Sequence, residues 1–110
     1  MPTNPLVTVL MTVYNGAEYL NASVQSIIDQ TFKNFEFLIV NDCSTDDSVK
    51  IIKSFKDDRV VIYDNERNLG QTKSLNIGLR LAKGKYVARM DADDVAFPLW
   101  LEKMVEHMTG

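Results

Sequence analysis

The chain has 110 residues, of which 45% are apolar and 25% charged, and its net charge is −3. These values are typical of one globular domain and exclude a disordered chain. The acidic balance argues against a nucleic-acid binder, and no apolar run is long enough to span a membrane. The single Cys43 excludes an internal disulfide and a thiolate zinc site, and it favours a reducing, cytoplasmic compartment.

Four short apolar runs alternate with helical patterns along the chain. The runs predict strands at residues 6–13, 35–40, 60–63 and 86–90, and they are apolar nearly throughout, as in a sheet covered on both faces. An amphipathic segment follows each of them. This alternation predicts an α/β, Rossmann-like fold, in which a mostly parallel sheet carries helices on both faces.

The helices are predicted from capping residues and apolar spacing. The second helix should begin after Ser44 or Thr45, since either residue suits the N-cap position. Gly84 is expected to follow the end of the third helix as its C′ residue, and Pro98 to open the fourth. The side chains expected to face the core are, helix by helix, Leu20, Val24, Ile27 and Ile28; Val49, Ile52 and Phe55; Leu75, Leu79 and Ala82; and Leu101, Met104, Val105 and Met108.

Polar residues follow three of the four predicted strands. Thr12, Tyr14 and Asn15 lie at the end of the first strand, Asp42 follows the second, and the acidic run 91–94 follows the fourth. Ligands of open parallel sheets bind beyond the carboxyl ends of the strands, where the strand order reverses. We therefore expect these side chains to share one edge of the sheet and to form a binding site.

The acidic cluster, Asp91, Asp93 and Asp94, has two interpretations. Two carboxylates about 4 Å apart repel by roughly 4 kcal/mol at an effective dielectric near 20. The group could stay solvated and cap the next turn, or it could hold a hard cation such as Mn²⁺ or Mg²⁺ together with diphosphate oxygens. Its position after a buried strand, beside two other polar strand ends, favours the metal. The chain has no glycine-rich phosphate loop, which leaves phosphate to a metal and side chains.

Four other candidates also have two interpretations each. Tyr14 could be a core-edge residue or lie against a nucleobase, and Asn15 could form a turn with Gly16 or hold a binding loop. Asp42 could cap the second helix or accept hydrogen bonds from a base or ribose. Lys73 could balance phosphate charge or be solvated surface.

Several linked motifs resemble glycosyltransferase family 2, whose members have the GT-A fold. The opening strand and the helix end Ser26–Phe32 are similar to the family's first strand and its "SxxxQT[YF]" motif. Val40–Asp46 resembles the family's "VDDGSTD", with Asn41 in place of the first Asp and Cys43 in place of the Gly. The remaining matches, in the family's order and spacing, are Asn68-Leu69-Gly70, Asn76-Ile77-Gly78, Ala82–Tyr86 and Ala88–Asp94.

The resemblance implies roles for individual residues. Thr12 and Tyr14 match positions that contact the nucleotide, and Asp42 matches the carboxylate that recognises uracil or an equivalent base. Asp93 is the expected direct metal ligand, with Asp91 nearer the ribose or sugar and also a metal candidate. The sugar donor implied is a nucleotide-diphosphate sugar, with UDP-sugar favoured, and the metal is Mn²⁺ or Mg²⁺.

The resemblance also implies what the chain should lack. In family members, which are mostly inverting enzymes of the kind that build polysaccharides, the catalytic base and acceptor site lie well beyond the acidic motif. We expect residues 1–110 to be an N-terminal portion that binds the sugar donor, with no catalytic residue. The acceptor, a saccharide or lipid-linked molecule, would bind elsewhere in the full-length protein, which could associate with a membrane. The isolated chain should then transfer sugar poorly or not at all.

Two other classes compete with this assignment. The first is a non-catalytic nucleotide- or metal-binding α/β module, such as a receiver-like signalling domain. Such domains have paired acids after the first strand, whereas here the acids follow the fourth. An aspartyl phosphatase has its nucleophile after the opening strand, so the Asp-x-Asp spacing at 91–93 is in the wrong place for that chemistry.

Overall fold

The computed structural model describes residues 4–109 and contains one four-stranded sheet in which every pair of neighbouring strands is parallel. The order of the strands is β3-β2-β1-β4. The elements are β1 (Val7–Val13), α1 (Ala17–Ile28), β2 (Phe35–Asn41), α2 (Ser48–Ser54), β3 (Val60–Asp64), α3 (Gln71–Leu81), β4 (Tyr86–Arg89) and α4 (Trp100–Thr109). The predicted fold class is confirmed, and each strand boundary lies within one residue of its predicted position.

The sheet has an apolar core on each face. The larger core contains Val9, Met11 and Phe37 from the strands and packs against α1, α2 and α4. The smaller core contains Leu10, Leu38 and Val40 and packs against Leu75 of α3. Because β1 and β2 are central and covered on both sides, they are apolar nearly throughout. The edge strands β3 and β4 are only partly buried.

The predicted start of the second helix was wrong by several residues. The helix begins at Ser48, not directly after Ser44 or Thr45. The backbone N–H of Ser44 donates to the Asn41 side chain, and that of Thr45 donates to Asn15. The first of these bonds is local and the second is long-range, and together they hold residues 44 and 45 in a loop before the helix.

The predicted contacts of α3 need two corrections. Leu79 is 54% exposed, because α3 packs on the sheet through its small residues Ser74 and Gly78. A Cβ at Gly78 would lie 2.3 Å from Leu10 Cδ1. Gly84 is not a left-handed C′ residue, since its φ is not positive. A Cβ at Gly84 would lie 2.4 Å from the backbone nitrogen of Thr8, so glycine is required there by the close approach of two chain segments.

The last helix begins two residues after its predicted start. Pro98 lies in the turn before α4, and its carbonyl accepts a hydrogen bond from the Thr31 N–H. Leu101 is buried as expected, but Met108 is 38% exposed and does not face the core. Within residues 4–109, no helix combines the length and the apolar character that a membrane crossing needs.

Candidate functional site

A cleft of about 540 Å³ opens at the carboxyl edge of the sheet. It lies between the ends of β1 and β4, which is the point where the strand order reverses. The predicted residues Thr12, Tyr14, Asn15, Asp42, Asp91 and Asp93 all line it. The clustering expected from the strand ends is therefore observed. The polar lining residues that were not predicted are Tyr19, Gln71, Ser74 and Arg89.

The turn after β1 is held by the loop after β2. Asn15 has a φ of 53°, a left-handed conformation that asparagine tolerates better than most residues. Its side-chain Oδ1 accepts hydrogen bonds from the N–H groups of Thr45 and Asp46 at 2.8 and 3.3 Å. The Asp46 carboxylate in turn accepts from the Ala17 N–H in the first turn of α1. This network fixes the backbone on which the half-exposed Tyr14 is presented to the cleft.

Asp42 is the most tightly held carboxylate in the cleft wall. Its Oδ1 accepts from the Leu69 N–H at 2.7 Å and from Asn65 Nδ2 at 3.0 Å, and its Oδ2 accepts from the Gly70 N–H at 2.9 Å. Burial raises the pKa of Asp42, but the hydrogen bonds from Leu69, Asn65 and Gly70 outweigh it, so this pKa lies below its ordinary value. Asp42 therefore fixes the approach to α3, and its predicted alternative role as a cap of α2 is wrong.

Asn65 completes the wall behind Asp42. Its side-chain amide donates both to Asp42 and to Ser74 Oγ, at 3.0 and 2.9 Å. Its Oδ1 is the one buried side-chain oxygen or nitrogen among residues 4–109 that has no hydrogen-bond partner. Turning the amide over would set this oxygen against the Asp42 carboxylate, so Asp42 dictates its orientation. The sequence offered no signal for Asn65, since asparagine after a strand is typical of an ordinary turn.

The two departures from the family motif have structural consequences. Asn41 Nδ2 donates to the Asp64 carboxylate at 2.9 Å, a bond that an aspartate at position 41 would replace with repulsion between like charges. Cys43 has a φ of 59°, in the region that favours glycine, so it occupies a strained position next to Asp42.

The acidic cluster forms an exposed turn at the opposite wall. The Asp94 N–H donates to the Asp91 carbonyl at 3.1 Å, which closes the turn. One carboxylate oxygen from each of Asp91, Asp93 and Asp94 lies within 4.8 Å of the others. The Arg89 guanidinium lies 3.6 Å from the Asp91 carboxylate in a solvent-exposed ion pair. Three exposed oxygen ligands at this spacing fit a hard divalent cation that keeps water or phosphate as its other ligands.

Lys73 is exposed and is not among the residues that line the cleft. A second cavity of about 480 Å³ lies on the other side of the acidic cluster, where Asp91 and Asp94 face Val95, Phe97 and Trp100. The acidic turn is thus accessible from two sides.

The fold and the site define a parallel α/β domain with a cleft of about 540 Å³ and an acidic turn at its switch point. Glycosyl transferase family 2 matches residues 8–110, and the chain belongs to this family. That membership leaves the receiver-like module and the phosphatase without support.

Two relatives illustrate the similarity. An uncharacterized glycosyltransferase from Haemophilus influenzae is 46% identical over 110 residues, which cover 98% of this chain and 34% of the relative. WfaP from Escherichia coli, a UDP-Glc:alpha-D-GlcNAc-diphosphoundecaprenol beta-1,3-glucosyltransferase, is 39% identical over 89 residues, which cover 81% of this chain and 36% of WfaP. The chain spans about a third of the length of these relatives.

Two solved structures have the same fold. TarS from S. aureus, in complex with UDP-GlcNAc, matches with a TM-score of 0.89 at 27% identity, over 94% of this chain and 31% of the TarS chain. The mannosyltransferase PcManGT from Pyrobaculum calidifontis, in complex with GDP-Man and Mn²⁺, matches with a TM-score of 0.88 at 26% identity, over 99% of this chain and 34% of its own. The chain therefore has a Rossmann-like α/β fold that matches GT-A glycosyltransferases over about a third of their length.

Proposed function

We propose that this chain is the part of a metal-dependent, inverting glycosyltransferase that binds the sugar donor, and that the donor is a UDP-sugar. One observation carries the proposal: a single cleft has a hydrogen-bonded carboxylate, Asp42, in one wall and the acidic turn in the other. A nucleotide with its base at Asp42 and its diphosphate at the acidic turn would use both walls. The UDP-GlcNAc bound by TarS and the UDP-Glc in the name of WfaP support the nucleotide.

The hydrogen bonds of Asp42 favour uracil over guanine. A carboxylate has about four acceptor positions. Three of those on Asp42 are taken by N–H donors, two on Oδ1 and one on Oδ2, and the Ser74 hydroxyl is a further hydrogen-bond partner. Guanine presents two adjacent donors, N1–H and the N2 amino group, which a carboxylate meets best with both oxygens free. Uracil presents only N3–H, so it needs a single acceptor position, which the Ser74 hydroxyl can leave free by rotating. Tyr14, Thr12 and Asn15 would line the base and ribose, and Asp91 would lie near the ribose or sugar.

Asp93 and Asp91 would hold the cation, which is Mn²⁺ or Mg²⁺. When bound, such an ion stabilises the charge that develops on the departing diphosphate. The Mn²⁺ present with GDP-Man in the PcManGT complex supports a divalent metal. Lys73 lies outside the cleft walls, so we propose that it makes at most a minor contact to phosphate and that the metal neutralises the diphosphate.

The acceptor and the catalytic base are proposed to lie outside residues 1–110. No carboxylate of the cleft is left over for the base, because Asp42 is occupied and the acidic turn would hold the metal. The acceptor would be a saccharide or a lipid-linked molecule, which the diphosphoundecaprenol in the name of WfaP supports. We expect the isolated chain to bind the sugar donor in a cytoplasmic setting without transferring the sugar.

A base panel tests the proposal. The affinities of UDP, dTDP, GDP and ADP are measured by calorimetry at saturating Mn²⁺. We expect UDP and dTDP, which share the single imide N–H, to bind about ten-fold or more tighter than GDP and ADP, on the scale of one or two lost hydrogen bonds. Equal affinities for all four nucleotides would remove Asp42 as the base-recognising group. If none of the four nucleotides binds, the proposed function is overturned.

A further inference from the structure

The motif at the end of α1 makes long-range contacts that the proposed function does not use. Gln30 lies two residues after the end of α1 and is fully buried. Its Nε2 donates to the Phe97 carbonyl at 2.8 Å, and its Oε1 accepts from the Leu101 N–H at 2.9 Å. One side chain therefore closes both ends of the turn before α4. These bonds specify the position of the segment, because a buried amide that did not make them would lose the free energy of its hydration without compensation.

Two neighbours of Gln30 bind the same segment. Ser26 Oγ accepts from the Ala96 N–H at 3.1 Å, and the Thr31 N–H donates to the Pro98 carbonyl at 3.0 Å. The successive contacts of residues 96, 97 and 98 with residues 26, 30 and 31 lay this stretch along the last turn of α1. We call residues 96–101 the anchored segment.

The anchored segment begins two residues after the acidic turn. On the other side, the turn is preceded by Met90, whose N–H donates to the Leu10 carbonyl of β1. Ala92, inside the turn, packs against the apolar core beside α1. The carboxylates of the turn are exposed, and within residues 4–109 they form one ion pair, the solvent-exposed contact between Arg89 and Asp91. Their arrangement therefore depends on how the backbone is held at its two ends.

We propose that Gln30 is a positioning residue for the cation site: it fixes the anchored segment and so holds the acidic turn in the geometry that binds a divalent ion with the diphosphate. The inference rests on the proposed function of the acidic turn. Gln30 itself touches neither nucleotide nor metal. It acts through the backbone of residues 94–97. The Ser26 hydroxyl holds the same stretch through the Ala96 N–H.

The test replaces Gln30 with an apolar side chain of similar volume, Gln30→Met. Gln25→Met is the matched control, because Gln25 lies on the exposed side of the same helix and its amide donates only to Asp29. Two quantities are measured for each protein. One is the affinity for Mn²⁺ in the presence of UDP, from the electron paramagnetic resonance signal of free Mn²⁺, and the other is the affinity for UDP without metal.

We expect Gln30→Met to weaken the Mn²⁺ affinity about ten-fold, which is the lower end of the effect seen when a residue that orients metal ligands is replaced. Its metal-free UDP affinity should stay within about two-fold of wild type, since the base wall is separate, and Gln25→Met should match wild type in both. If Gln30→Met lowers the free energy of unfolding but leaves the Mn²⁺ affinity unchanged, the proposal is contradicted. An equal fall in both affinities would also contradict it, because it would indicate general loosening.

A second variant covers the case in which Gln30→Met does not fold. Ser26→Ala removes the acceptor of the Ala96 N–H and a local hydrogen bond to the Ser23 carbonyl within α1, and it should weaken Mn²⁺ binding by about three-fold with metal-free UDP binding unchanged. Wild-type affinity in Ser26→Ala would then overturn the positioning role. A wild-type chain that binds UDP equally well with and without Mn²⁺ would instead overturn the metal part of the proposed function, and the inference with it.

Discussion

The two walls of the cleft are built in opposite ways. Asp42 is 4% exposed and its carboxylate is held by two backbone N–H groups and an asparagine. Asp91, Asp93 and Asp94 are all exposed, and the turn that carries them is held by its backbone. The first wall is arranged before any ligand arrives, whereas the second concentrates negative charge that a cation would relieve.

This difference predicts how each wall tolerates change. A carboxylate that satisfies buried backbone donors contributes to folding, so its loss should destabilise the protein. An exposed carboxylate among like charges contributes little to folding, and its loss should be nearly neutral without metal. A mutation of Asp42 should therefore lower both stability and ligand affinity, whereas a mutation in the acidic turn should lower ligand affinity alone.

The largest effect is expected for Asp42→Asn. The substitution removes the negative charge that the Leu69 and Gly70 N–H groups contact, and it places an amide donor against one of them. We expect the free energy of unfolding at pH 7 to fall by about 2 kcal/mol, with nucleotide affinity lost as well. Urea denaturation measures the first and calorimetry the second. A protein of wild-type stability would show that the base wall is not held as described.

The pKa of Asp42 adds a pH dependence to this difference. Because the folded-state pKa lies below the ordinary 3.8, the ionised group stabilises the folded state above that value. The contribution is lost as the pH falls through the folded-state pKa. The stability gap between wild type and Asp42→Asn should therefore be constant from neutral pH to about 5 and should shrink below about 4. A gap that stays constant down to pH 2 would exclude Asp42 as its source.

A smaller effect is expected at Cys43. Its left-handed backbone costs a non-glycine residue about 1–2 kcal/mol, while glycine costs about 0.5–1 kcal/mol in added freedom of the unfolded chain. Cys43→Gly should therefore raise the free energy of unfolding by about 0.5 kcal/mol. Cys43→Ala is the control, because it keeps the Cβ and should bring no gain. Equal stabilisation by both changes would attribute the effect to the thiol and not to the backbone.

The smallest effect on stability is expected for Asp93→Asn. Without metal it should change the free energy of unfolding by less than about 0.5 kcal/mol, since the side chain is exposed and carries like-charged neighbours. Denaturation in the presence of a chelator measures this. A loss comparable to that of Asp42→Asn would mean that the two walls do not differ in the way the structure indicates.

Lys73→Ala tests whether a residue outside both walls contributes to diphosphate binding. Lys73 was a sequence candidate for phosphate, but it is exposed and does not line the cleft. If the metal at the acidic turn neutralises the diphosphate, the affinity for UDP in Mn²⁺ should change by less than about two-fold, as for a surface charge. A ten-fold loss would assign part of that role to Lys73.

The sequence predicts a structural feature correctly where the pattern has one physical cause. Continuous apolar runs predicted β1 and β2 because both faces of these central strands are covered. The strand ends predicted the cleft because parallel strands end at one edge. The start of α2 could not be found in the same way, since Asn15, about thirty residues earlier, binds the N–H groups that a local cap would otherwise satisfy.

The remaining errors have the same origin in tertiary contacts. Leu79 has the spacing of a core residue, but the close fit of Gly78 against Leu10 sets which side of α3 faces the sheet. Asn65 and Gln30 carry ordinary local signals, and only the fold brings them to Asp42 and Phe97. The identity of each buried amide partner therefore depends on contacts between residues distant in sequence.

The most direct test of the central claim is the effect of Mn²⁺ on UDP affinity in wild type and in Asp93→Asn. If one wall binds the base and the other binds the diphosphate through a cation, Mn²⁺ should tighten UDP binding at least about ten-fold in wild type and have little effect in Asp93→Asn. Metal-free UDP affinity should be the same in both proteins or slightly tighter in the variant. Metal-independent UDP binding by the wild-type chain would contradict the account.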